Sequence, residues 1–210
     1  ALKETGLDEN TIVVFTSDHG DMMGAHRLFT KTFCYEESSQ VPWLIRYPKK
    51  IRRQKIVEQP VSQIDMVPTL LDLMGKDVAQ FDLPGNSLVP TFTGGEAQED
   101  HVFIEWNMFN QDLVKKCRPE NMETFKAWLD ETATEAEIMA AMKSQWRCVV
   151  SPDGWKMSLA QGDLNQLFNL NKDPLETTNL YNEPQCQDVI TRLTKRIHNW
   201  QESVADTLVI

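Results

Sequence analysis

Along the first half of the chain, apolar residues come in short unbroken runs. Thr11 to Thr16 (TIVVFT) is β-branched and aromatic without alternation. That pattern predicts a strand buried on both faces, as in a parallel sheet covered by helices. Val41 to Tyr47 (VPWLIRY) is a second run, closed by Pro48 and the basic stretch KKIRRQK, which reads as a solvated loop. Pro42 suits an edge or first-residue position. From Ser62 to Met74 the period lengthens: Ile64, Val67, Leu70, Leu71 and Met74 recur at helical spacing. Ser62 caps that helix and Gly75 ends it. LPGNSLVPTFTGG follows as a turn-rich connector.

Beyond about residue 96 the pattern changes. HVFIEW (101–106) predicts a short strand. The stretch 119–145, rich in Glu, Ala, Met and Lys, predicts one or two surface helices. WRCVVSPDGWKMSLAQ predicts a hairpin around Pro-Asp-Gly, and NQLFNL another short strand. Asp173 and Glu176, in the polar loop NKDPLETTNL, suit local hydrogen bonds. Val189, Leu193, Ile197, Trp200 and Val204 predict an amphipathic terminal helix. The division that follows is an α/β piece over 1–95 and a small α+β unit over 96–210, with a helical insertion at about 107–145. ALKETGLDEN reads as the last turns of a helix stopped by Gly6, the mark of a chain that is part of a longer protein.

Composition narrows the function. The chain has 210 residues, 41% of them hydrophobic and 25% charged, ordinary for a globular protein. The formal net charge of -10 argues against a nucleic-acid partner, whose phosphates demand a basic face. No apolar run approaches the ~20 residues needed to span a bilayer. Cys34, Cys117, Cys148 and Cys186 show no C-x-x-C spacing, which argues against a zinc site, and free thiols or a single bridge are favoured over a disulfide framework.

The chemistry sits directly behind the first strand, in SDHGDMMGAHRLFTK. Ligands of an open α/β sheet bind beyond the carboxyl ends of its strands. Asp18 and His19 stand at such an end, and Gly20 lets the backbone turn. A carboxylate and an imidazole on a turn can approach one metal ion, with further ligands from elsewhere. His26 can donate to an anion or a leaving oxygen, and Lys31 can hold an oxyanion opposite a metal. Each has a plain alternative: a helix-capping Asp, a solvent-facing His, a solvated Lys. Glu36 and Glu37 could orient Lys31 or simply face solvent.

The combination is more specific than its parts. S-D-H-G-D-x-x-G-x-H, a Lys five residues later, Y-E-E-S and V-P-x-L-I-R-x-P together resemble the sulfatase family of the alkaline-phosphatase superfamily. IDMVPTLLDLMG with LPGNSLVPTFTG, then GWKMSLAQ and NQLFNLNKDPLETTNL, resemble the family's later motifs in the family's order. The resemblance implies the C-terminal part of an alkaline-phosphatase-like α/β sandwich, followed by a small antiparallel-sheet subdomain with a C-terminal helix. It implies Asp18 and His19 as ligands of a divalent metal, most often Ca2+. It implies Lys31 on the sulfate, and His26 on the sulfate or leaving-group side. The expected substrate is a sulfated small molecule or sugar. Periplasmic, secreted and lysosomal sites are all typical of the family.

One family element has no match. The nucleophile is a formylglycine made from Cys or Ser within C/S-x-P/A-x-R. No cysteine or serine here fits, and CRPEN at Cys117 lacks the arginine. The resemblance therefore places the formylglycine upstream and predicts that residues 1–210 alone are inactive. Three functions compete: a sulfuric ester hydrolase, a related phosphodiester or phosphonate monoester hydrolase, and a non-catalytic binding module.

Overall fold

The structure is a computed structural model that describes residues 1–28, 30–31, 33–94, 100–107, 134 and 143–210. It divides into two compact units: residues 1–102 with 150–154, and residues 103–149 with 155–210.

In the first unit, strand β1 (Val13–Thr16) pairs with β2 (Trp43–Arg46). The pairing is antiparallel, with Phe15 opposite Leu44 and Thr16 opposite Trp43. This corrects the expectation of a parallel strand buried on both faces. Side chains alternate across a strand, and here one face stays open: Phe15 is 64% exposed and Leu44 59%. An unbroken apolar run reports that both faces suit burial, not which element covers them or in which direction the neighbour runs.

The turn before β1 closes as expected of a helix end. Gly6 (φ 70) takes the left-handed position. The Leu7 N–H donates to Leu2 O at 3.0 Å and the Gly6 N–H to Lys3 O at 3.3 Å. That is a Schellman stop. Helix α2 (Met66–Leu73) ends the same way, with Gly75 at φ 75 and the Lys76 N–H donating to Leu71 O at 2.9 Å. Before α2, Ser62 forms a capping box with Asp65.

The buried face of α2 is not the apolar stripe read from spacing. Pro68, Thr69 and Leu73 are buried, whereas Ile64, Val67 and Met74 are exposed. The connector 83–90 decides this. Its Leu88 N–H donates to Thr69 Oγ1 at 2.9 Å, Ser87 Oγ to Asp72 Oδ2 at 2.6 Å, and the Asn86 N–H to Asp65 Oδ1 at 2.9 Å. The connector leads into the short helix α3 (Val89–Thr93). The basic loop also has structural work. Lys50 Nζ donates to Asp72 O near the end of α2 at 2.9 Å, and Lys55 Nζ to Thr91 O in α3 at 2.8 Å. Asp72 O accepts from the Gly75 N–H as well, at 2.8 Å, so Lys50 adds a second donor to a carbonyl of the helix end.

In the second unit a four-stranded sheet has the order β3 (Val102–Trp106), β4 (Gln145–Val150), β5 (Trp155–Gln161), β6 (Gln166–Asn169). β5 and β6 pair antiparallel, with Lys156 opposite Phe168. The helices expected within 119–145 fall on residues outside the described set, apart from Thr134 and 143–145, of which Gln145 begins β4. Helix α4 (Gln187–Ser203) buries Ile190, Leu193, Ile197 and Gln201. Leu193 and Ile197 share a core with Val149, Met157, Leu159 and Leu167. Trp200 stacks on Phe103 with ring centroids 5.1 Å apart. Val204, expected on the apolar stripe, lies just past the helix and is exposed. Cys34, Cys148 and Cys186 are buried thiols rather than disulfides.

Two buried charges organise this unit. Lys156 on β5, 1% exposed, meets Glu176, which is fully buried, at 3.1 Å. Glu176 was expected to bond locally. Its backbone instead turns left-handed (φ 51) and its carboxylate meets the lysine of the sheet. Asp173 does bond locally, accepting from Thr177 Oγ1 and the Thr178 N–H. Arg147 on β4, 2% exposed, donates from Nε and Nη2 to both oxygens of Asp206 at 2.7 and 2.9 Å. It donates further to Asn107 Oδ1 at 2.7 Å and to the carbonyls of Trp106 and Trp146.

Candidate active site

β1 ends at Thr16 and the chain turns at once. Gly20 makes the turn possible through a close approach: a Cβ there would sit 2.0 Å from Glu37 O. Its N–H donates to Ser38 O at 2.9 Å, which ties the turn to helix α1 (Glu36–Ser39). From the other side Gln63 Nε2 donates to Ser17 O at 2.6 Å. A loop of polar residues is thus held by backbone contacts on two sides.

The turn presents Asp18 and His19 together. Asp18 Oδ2 lies 3.4 Å from His19 Nε2. Asp18 Oδ1 accepts from the His19 N–H at 3.1 Å. Its own backbone N–H first, then the His19 ring, hold the Asp18 carboxyl below its ordinary value. The side chain is 84% exposed and open to a cation. His19 Nδ1 faces Gly20 O at 2.7 Å. A carbonyl only accepts, so Nδ1 carries the proton and Nε2 presents its lone pair. Lys31 Nζ donates to that lone pair. A ring nitrogen fixed by a carbonyl, with the lone pair of the other left for a ligand, is the usual arrangement of a metal-ligating histidine; here Lys31 takes that lone pair, and a cation bound to it would displace the ammonium. Among the described residues no group of three or more His, Cys, Asp or Glu is placed to hold a metal. The donor types fit a cation, and the number of donors is that of a partial site.

Lys31 arrives on a small hairpin. The Met22 N–H donates to Thr30 O at 2.7 Å and the Gly24 N–H to Leu28 O at 2.9 Å. His26 sits at the tip, with φ 49 and ψ 20. Its ring stacks on Tyr35 with centroids 3.9 Å apart and planes 9° apart. Its Nε2 lies 3.9 Å from Glu37 Oε2.

The structure therefore gathers Asp18, His19 and Lys31 at one point, and places His26 on the same loop against Tyr35 and Glu37. Sequence reasoning offered Glu37 as a partner of Lys31; the structure sets it beside His26. Gln63 was missed altogether. It opens the turn before α2, and spacing along the chain carries no sign that this turn meets residue 17.

The sulfatase family profile matches residues 1–76. The chain is 34% identical over 185 residues to arylsulfatase K of Bos taurus, an alignment covering 86% of this chain and 29% of that protein. The structure is similar to that of a 2-O GAG sulfatase, with a TM-score of 0.71 and 26% identity over 94% of this chain and 37% of the other. It is similar also to the phosphonate monoester hydrolase of Agrobacterium radiobacter, with a TM-score of 0.71 and 26% identity over 96% and 37%. The chain spans about a third of the length of these relatives.

Proposed function

The chain belongs to the sulfatase family of the alkaline-phosphatase superfamily, and from that premise we propose that it supplies the metal-binding and sulfate-binding residues of a sulfuric ester hydrolase. The observation that carries the reading is the meeting of the Lys31 ammonium with His19 Nε2 beside the Asp18 carboxylate. A cation site and a positively charged donor stand side by side, as the anionic tetrahedral sulfate group of such an ester needs.

Asp18 and His19 would hold one divalent metal, Ca2+ by the family's habit, with the remaining oxygens of a six- to eight-coordinate shell from other residues or water. Bound there, the metal would polarise the sulfate oxygens. Lys31 binds a sulfate oxygen through its three N–H donors. His26 faces the ester oxygen and delivers a proton to the departing alcohol. Gly20 and the hairpin 22–30 hold these groups in register. The sulfatase family generally works through a metal ion and a formylglycine. Residues 1–210 contain no C/S-x-P/A-x-R motif, and we assign the nucleophile to sequence outside them. Residues 1–95 carry the site in this reading, and 96–210 form the accessory unit. A sulfated sugar or small molecule is the substrate class. No helix among the described residues is long and apolar enough to cross a membrane.

Lys31→Ala in the intact protein tests the assignment. A charge-assisted hydrogen bond contributes about 1.5–3 kcal/mol, so kcat/KM on a sulfate ester should fall about ten- to more than a hundredfold. Lys31→Arg should restore it only in part, because a planar fork does not replace a compact ammonium. Wild-type kcat/KM in Lys31→Ala on every ester tried would make Lys31 a surface lysine. The likeness to a phosphonate monoester hydrolase supports a second reading. Rates on matched aryl sulfate and aryl phosphonate esters decide between the two.

A further inference from the structure

His26 is held more tightly than a surface loop residue needs to be. Within eight positions, Met23, His26, Arg27 and Thr30 all take left-handed backbone angles, at φ 48, 49, 61 and 68. Such strain persists only where surrounding contacts over-determine it, and it concentrates at working sites. The contacts are visible. Met22, 1% exposed, anchors the base of the hairpin in the interior. The bonds from Met22 to Thr30 and from Gly24 to Leu28 lock its two arms together. Its tip bears on Tyr35 and Glu37.

Glu37 stands out chemically. Its Oε2 is buried and has no hydrogen-bond partner among the described residues, and His26 Nε2 lies 3.9 Å from it. A buried carboxylate oxygen is costly to leave without a donor. Among the described residues the His26 ring edge is a donor that faces it, at 3.9 Å. Glu37 and Tyr35 are adjoining parts of one short segment, and the Gly20 turn is bonded to that same segment at Ser38. The segment 35–38 therefore braces the metal-binding turn and the tip of the Lys31 hairpin at once.

We infer that Tyr35 and Glu37 are positioning residues for the sulfate-binding loop: the Tyr35 ring fixes the plane of the His26 imidazole, and Glu37 fixes which edge faces inward. Through the two cross-bonds of the hairpin, that clamp also sets where Lys31 emerges, one residue beyond its base. The inference rests on the proposed reading that His26 and Lys31 face the sulfate ester.

The test uses the intact protein and the variants Glu37→Gln, Glu37→Ala, Tyr35→Leu and Tyr35→Phe. Three quantities are read: kcat and KM on a sulfate ester, inhibition by inorganic sulfate, and the His26 ring resonance in histidine-labelled protein, assigned with His26→Gln. Misplacing a reacting group by about 1 Å costs up to about a hundredfold. Glu37→Ala and Tyr35→Leu should therefore lower kcat/KM about ten- to hundredfold and weaken sulfate inhibition, with the His26 resonance displaced. Tyr35→Phe keeps the ring and should keep the resonance where it is. Glu37→Gln retains the shape of Glu37 and serves if Glu37→Ala fails to fold. An altered melting temperature with unchanged kcat/KM and unchanged His26 resonance overturns the inference. If wild-type protein turns over no sulfate ester, the functional reading fails by itself, and the resonance arm alone then decides the clamp.

Discussion

Replacing Arg147 by Met should unlock the second unit without emptying it. The methionine keeps most of the apolar stem, so the change removes charge and donors rather than volume. Five hydrogen bonds go with it: two to Asp206, one to Asn107 Oδ1, and one each to the carbonyls of Trp106 and Trp146. Asp206 is left with the Gln201 amide at 2.9 Å and the Leu208 N–H at 3.2 Å. Summing five bonds would overcount, because they share one side chain. Asp206 is 13% exposed and keeps those two donors, so the cost of stranding its charge falls at or below the lower end of the about 3–5 kcal/mol of a fully buried pair. Urea denaturation of intact protein at pH 7, followed by tryptophan fluorescence, measures it. Asp206 adds a pH signature. Arg147 first, with Gln201 and the Leu208 N–H, holds its carboxyl far below its ordinary value of 3.8. A carboxyl depressed in the folded state contributes stability fully above its unfolded value and loses it as pH falls through the folded one. The gap between wild type and Arg147→Met should therefore be constant from neutral pH down to about 5 and shrink below about 4. Arg147→Met with Asp206→Leu should recover much of the loss, since neither charge is then stranded. A cost below about 1 kcal/mol at pH 7, or a gap unchanged at about pH 2, would refute this reasoning.

The Lys156–Glu176 pair predicts a similar asymmetry: Lys156→Met alone should cost about 3–5 kcal/mol by chemical denaturation, and a loss under about 1 kcal/mol would show the pair to be dispensable. Gly20→Ala should cost about 1–3 kcal/mol through overpacking, because its Cβ would meet Glu37 O at 2.0 Å. The same change should depress turnover more than Lys50→Ala does, in steady-state assays of both. Calcium titrated calorimetrically into metal-free intact protein should bind at least about tenfold more weakly after Asp18→Asn, the loss of one anionic oxygen donor; equal affinity would remove Asp18 from the metal shell.

Much of the local structure was legible because its causes are local. Gly6 and Gly75 stop helical turns through their own backbone freedom, and Ser62 caps a helix from its own start. The hairpin β4–β5 and helix α4 follow from turn chemistry and periodicity. The order S-D-H-G, His26 and Lys31 was legible for the same reason: all three features ride on one short segment. The cross-chain choices were not legible. That β2 lies antiparallel to β1, that α2 turns Thr69 rather than Val67 inward, and that Glu176 meets Lys156 depend on partners tens of residues away. Residue pattern states what each face tolerates, and only tertiary packing selects the partner. The site divides along the same line. The sequence by itself marked Asp18, His19, His26 and Lys31 as the candidate ligands of a metal and a sulfate. The tertiary structure decided that Lys31 reaches back to His19, and that Glu37 lies beside His26, because a hairpin and a short helix bring together side chains that spacing alone leaves apart.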